Sequence, residues 1–148
     1  MLKICNGPLD VPTILKDWYE EEHKSNYGAF IPFVGTIRQE DGIDGLSFDI
    51  YEPILVRWFE SWKEKAKESG AIIKMAHSRG DVRLHESSYI AAVFSPKRKV
   101  ALAFIEHFVE DFKASAPIWK YDLKDGQRIY ARDRSTAIHG SGILGAKG

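Results

Sequence analysis

A chain of 148 residues has the length of one domain and can bury about two-thirds of its unfolded surface without a disulfide or metal to staple it. Its 44% hydrophobic and 28% charged residues exclude bulk disorder, and one cysteine excludes an internal disulfide and fits a reducing, cytoplasmic compartment. No apolar run approaches the ~18 residues of a membrane span, no signal-peptide stretch opens the chain, and 21 basic against 21 acidic side chains leave no net charge to recruit nucleic acid.

Residues 2–5 read as a short first strand, ended by the turn cluster Asn6-Gly7-Pro8. Residues 11–22 read as an amphipathic helix with Ile14, Leu15 and Trp18 on one side, Asp10 as N-cap and Pro12 in the first turn. Residues 29–37 (AFIPFVGTI) are too short and branched for a good helix. Gly42 and Gly45 then mark an exposed turn, and Leu46, Phe48 and Ile50 alternate with Ser47 and Asp49. That pattern predicts an antiparallel strand–loop–strand unit. Pro53 opens a second helix over 53–69, with an apolar stripe of Ile54, Leu55, Trp58, Phe59 and Trp62 and Gly70 as its left-handed stop.

Residues 71–76 and 88–94 read as two further strands. Ser95-Pro96 predicts a third helix, Ser as N-cap and Pro at the first position, running to about Ser115 and burying Ala101, Phe104, Phe108 and Phe112. Pro117 ends it, and 118–123 with 128–130 predict a last hairpin around Asp125-Gly126. Three helices among about six strands give an α+β fold: a single domain over 1–138 with a mostly antiparallel sheet, then a Gly-rich tail over 139–148 expected to be mobile.

The chemistry-bearing residues are spread thinly. Cys5, on a short apolar strand, reads as an inert thiol. His23, His77, His85, His107 and His139 show no metal-ligand spacing, and neither a nucleophile elbow nor a phosphate-cradling glycine loop is present. Charge is uneven, however: residues 97–148 carry ten basic and six acidic side chains. Lys97, Arg98 and Lys99 crowd the start of the third helix, where cations oppose its dipole unless an anion binds. Lys113 and Lys120 flank the Ala116-Pro117 break, and Arg38 ends a strand beside an exposed turn.

Four segments stand in a specific order and spacing: GAFIPFVGTIR (28–38), IYEP (50–53), SPKRKVAL (95–102) and FKASAPIWK (112–120). Over residues 1–132 the chain resembles the catalytic, or large, subunit of molybdopterin synthase. The resemblance implies an α/β-hammerhead fold and a sulfurtransferase that converts cyclic pyranopterin monophosphate (precursor Z) to molybdopterin. It implies two partners: a ubiquitin-like carrier whose C-terminal Gly-Gly thiocarboxylate supplies the sulfur, and a second copy of this chain, dimeric at the centre of a heterotetramer. No metal, other cofactor, nucleic acid or membrane is implied. The chain ends in Ala-Lys-Gly, so it is not itself read as the carrier.

Residue by residue, the resemblance makes Lys113 and Lys120 catalytic. Its substrate-binding set is Thr36, Ile37, Arg38, Lys97, Arg98, Lys113, Lys120, Tyr121 and Asp122. Arg38 is implied to reach the site of a neighbouring protomer, and either Arg132 or Arg134 to contact substrate. This chain departs from the family pattern in having Lys97 where the family has His, which favours phosphate binding over proton shuttling. It also has His85 for Gly and Ser78 for Arg. Two other readings compete: a non-catalytic module that binds a phosphorylated ligand or acidic peptide through the basic face, and a nucleic-acid-binding domain, which the zero net charge opposes.

Overall fold

The structure is a computed structural model and describes residues 1–130. In chain order its elements are β1 (Leu2–Asn6), α1 (Val11–Glu21), β2 (Ala29–Thr36), β3 (Gly45–Ile50), α2 (Glu52–Glu68), β4 (Ile72–Arg83), β5 (Ser87–Ser95), α3 (Arg98–Ser115), β6 (Ile118–Lys124) and β7 (Gln127–Tyr130). The strands join in the order β2-β5-β4-β3-β6-β7, with β1 lying parallel to β4 and every other pairing antiparallel. The α+β class and three helices match the sequence reading; the sheet has one strand more. The expected boundary at 138/139 and the 139–148 tail lie outside the described residues.

Period-two alternation along β5 sorts its side chains onto two cores. Tyr89, Ala91 and Val93 face the larger core with Leu55, Phe59 and Trp62 of α2 and Ala101 and Phe108 of α3. Ile90, Ala92 and Phe94 face a smaller one with Ile14 and Trp18 of α1. Covered on both faces, β5 reads as an almost unbroken apolar run. Asp10 caps α1 as expected, its carboxylate accepting from the Thr13 amide at 3.3 Å and the Thr13 hydroxyl at 2.9 Å. At the other end of α1, the buried Lys74 ammonium meets Glu21 at 2.5 Å and Glu22 at 3.0 Å, tying helix to sheet.

Four expectations need correction. β2 and β3 do not pair: β2 is bonded along its length to β5, and β3 lies between β4 and β6. Alternation marks a half-buried strand without choosing its neighbour. Strand β4 does not end near residue 76 but runs on to Arg83, because β1 pairs with it through Arg79 and β3 takes over from Gly80 at φ +88°. Gly45 is no exposed turn residue. It is buried at the start of β3, where a Cβ would overlap the Val82 carbonyl oxygen. Finally, the N-cap of α3 is Lys97 in an extended conformation, with no side-chain cap. Ser95 stays in β5, paired with Ala29, and its hydroxyl accepts from the Lys97 amide at 3.2 Å. The ladder wins over the cap. The last hairpin does form as read, with Asp125 at φ 51° and Gly126 at φ 76°, the two left-handed residues of a type I′ turn.

Candidate active site

Where α3 ends at Ser115 and the chain turns through Ala116 and Pro117 into β6, the sheet curls around the helix end. Both terminal strands of the sheet order, β2 and β7, contribute to the cavity enclosed there, whose volume is about 420 Å³. The α3 wall comprises Val109, Glu110, Phe112, Lys113 and Ala116, the i, i+3, i+4, i+7 positions of one face with one neighbour. Phe33, Phe48, Tyr89 and Ile118 make the cavity largely apolar, and Thr36, His77, Ser88 and Lys120 add polar groups.

The floor is rigid. Phe112 stacks on Tyr89 at 4.2 Å and 10°, and the His77 ring packs edge-on to Phe48 at 4.9 Å. Burial lowers the His77 pKa to about 4, the hydrogen bond that Nδ1–H donates to the Ser78 carbonyl at 2.8 Å working the other way. The ring is therefore neutral at neutral pH. Burial also pushes the Tyr89 phenol well above its ordinary value, and its hydroxyl has no partner among the described residues.

A carboxylate on the opposite side of α3 fixes the helix end. Asp111 Oδ2 accepts from the indole N–H groups of Trp58 at 2.9 Å and Trp62 at 2.8 Å, and its Oδ1 accepts from the Ser115 hydroxyl at 2.9 Å. Three donors converge on one side chain between Phe108 and Phe112, so α2 holds the rotation of α3 at the turn that presents Lys113.

The structure brings Thr36, Ile37, Lys113 and Lys120 into one cavity wall. Arg38 follows directly, but its side chain is 85% exposed and lies 3.5 Å from Glu40. Strand alternation gives Tyr121 and Asp122 opposite faces of β6. Tyr121 lies beneath the Arg128 guanidinium at 4.1 Å, and Arg128 reaches across to Ser47 at 3.1 Å and Asp49 at 2.9 Å on β3. Asp122 shares the face of Lys120. Burial first, then Asp49, raises the Tyr121 pKa, with Arg128 opposing.

Lys97 and Arg98 are elsewhere. At about 1.5 Å per residue, α3 puts Arg98 about 22 Å from Lys113 along its axis, so one chain does not unite them. Arg132 and Arg134 lie outside the described residues. Sequence reading placed none of Glu110, His77 and Tyr89 in the site. Glu110 stands one turn before Lys113, a spacing visible in the sequence, whereas the two β-strand residues gave no local signal. Among the described residues no group of three or more His, Cys, Asp or Glu side chains could hold a metal ion, and no helix is long and apolar enough to cross a membrane.

Comparison with known proteins is consistent along the chain. It is 54% identical over 144 residues to the molybdopterin synthase catalytic subunit of Helicobacter pylori (strain ATCC 700392 / 26695), covering 97% of this chain and 99% of that protein. The fold superposes with a TM-score of 0.88 on a chain of the protein-protein complex of subunits 1 and 2 of molybdopterin-converting factor from Helicobacter pylori 26695, at 54% identity over 90% of this chain and 92% of that one. A molybdopterin synthase structure from Staphylococcus aureus, 23% identical, shares the fold with a TM-score of 0.75 over 86% of this chain and 94% of that one. Residues 4–115 match the MoaE protein family, and with a full-length relative at 54% identity the chain belongs to that family.

Proposed function

We propose that this chain is the catalytic subunit of a molybdopterin synthase, a sulfurtransferase that builds the dithiolene of molybdopterin on cyclic pyranopterin monophosphate. The observation that carries the reading is the pair Lys113 and Lys120 in one apolar-walled cavity, at the helix–strand junction of a chain 54% identical to a protein of that name. The cavity has no thiol in its wall: Cys5 lies on β1, so the attacking sulfur must be brought in. A carrier with a C-terminal thiocarboxylate brings it. Each transfer forms a carbon–sulfur bond on the pterin side chain and leaves the carrier, after water has replaced the sulfur, with an ordinary carboxylate.

Cations suit this chemistry because both reactants are anionic and oxyanions develop at the carbonyl carbon. Lys113, at the mouth, receives the carrier terminus. Lys120, half-buried, stabilises the developing charge. Thr36 and Ile37 shape the wall, Arg38, with its exposed side chain, reaches the site of a neighbouring protomer, and Tyr121 contributes by holding β6 in place from its other face. Asp122 borders Lys120. Lys97 and Arg98 hold the substrate phosphate, and because α3 keeps them about 22 Å from Lys113, they come from a second copy of the chain. The working unit is then a dimer of this chain with two carriers, a heterotetramer, in the cytoplasm. Mixing the protein with thiocarboxylated carrier and precursor Z tests the reading. Molybdopterin should form, and its absence would overturn the assignment.

A further inference from the structure

Glu110 carries the one carboxylate among the described residues that line the cavity. It leaves α3 three residues before Lys113, about 4.5 Å along the axis, so both head groups stand on the same helix face at the cavity mouth. Among the described residues no ion pair or hydrogen bond occupies this carboxylate, not even with Lys113 one turn away. A negative group here works against a cavity whose two lysines receive a thiocarboxylate and stabilise developing negative charge. An exposed carboxylate placed here complements a ligand that also presents hydrogen-bond donors.

A pterin does so. The 2-amino group and N3–H of its pyrimidine edge are two parallel N–H donors, which a carboxylate accepts in the paired geometry it uses with guanidinium. The aromatic walls of Phe33, Phe48 and Phe112 suit the flat ring between that edge and the phosphate. The phosphate end of such a substrate points to Lys97 and Arg98 of the second copy, and Glu110 matches its donor end.

We propose that Glu110 is a specificity-determining residue that anchors the pyrimidine edge of the pterin; this inference rests on the synthase reading above. In steady-state assays with thiocarboxylated carrier and precursor Z, Glu110→Gln should raise the KM for the precursor by about tenfold or more, because the paired charged acceptor is lost. It should leave the KM for the carrier unchanged. Glu110→Asp, which keeps the carboxylate on a shorter arm, should recover part of the loss. As a second probe, pterin should inhibit the parent more strongly than lumazine, which carries an oxygen in place of the 2-amino group, and Glu110→Gln should erase that preference.

A precursor KM within twofold of the parent, or a rise in the carrier KM instead, would overturn the anchor. So would pterin and lumazine acting alike on the parent, including no inhibition by either. A parent that forms no molybdopterin overturns the synthase assignment and this inference together. An active parent with an unaltered Glu110→Gln variant overturns this inference alone.

Discussion

Replacing Asp111 by alanine removes the acceptor for three donors at once. The Trp62 indole N–H lies in the core, its residue only 9% exposed, so orphaning it costs about 1–3 kcal/mol. The half-buried Trp58 N–H finds water more easily and adds about 1 kcal/mol, and Ser115, exposed at the helix end, adds little. The sum is roughly 2–4 kcal/mol. At about 3 °C of melting temperature per kcal/mol for a chain of this size, Asp111→Ala should melt roughly 6–12 °C below the parent. Asp111→Asn keeps one oxygen that accepts from both indoles and should fall by only about 3 °C, the cost of exchanging a charged acceptor for a neutral one. Thermal unfolding followed by tryptophan emission reads both variants at the affected side chains. A melting point for Asp111→Ala within 2 °C of the parent would show that the clamp carries no energy. Equal losses in the two variants would show that charge, not the hydrogen-bonded shape, holds the helices.

Lys113→Ala should leave the melting temperature within a few degrees, since exposed substitutions cost under about 0.5 kcal/mol, yet lose most molybdopterin formation. Mixing its protomers with Arg98→Ala protomers should restore part of the activity, and inactive mixed dimers would refute the shared site. Gly45→Ala must push the Val82 carbonyl away from β3 and should cost more than about 2 kcal/mol in urea unfolding, with no loss predicting a free backbone there. His77 binds a proton more weakly folded, at about 4, than unfolded, near 6.5, so its contribution to stability is full above pH 6.5 and drains away as pH falls toward 4. Between pH 7 and 5 that amounts to about 2 kcal/mol. His77→Gln should flatten this part of the pH–stability curve, and an unchanged slope would remove His77 as its source.

The first two helices were legible because each carries its own punctuation. Asp10 and Pro12 start α1, Pro53 starts α2, and Gly70 at φ +73° stops it. Strand partners were not, since the hydrogen bonds that fix them come from residues far along the chain: β4 extends over Ser78 and Arg79 only because β1, more than seventy residues earlier, lies beside it. The same division runs through the site. Lys113 and Lys120 straddle a visible break, so their convergence could be read from the chain. His77 and Tyr89 reach the cavity through the pairing of β4 with β5, which no local pattern announces. The separation of Arg98 from Lys113 needed only helix length.

The central position of β4 also sets the order in which the chain can fold. Its partners are residues 2–6, 45–50 and 87–95, so the first strand synthesised cannot be used until β4 exists. Leu2 meets Met75, and at about 5–20 residues per second on the ribosome that is a wait of roughly 4–15 s. A nascent chain that has emerged only as far as Arg83 still lacks β5, whose Ile90, Ala92 and Phe94 complete the core under α1. Until then the apolar stripe of α1 and one edge of β4 stay bare, open to pairing with another chain. The first 83 residues are therefore no independent folding unit. A fragment ending there should aggregate, and one that includes β5 and α3 is the shortest that can close both cores.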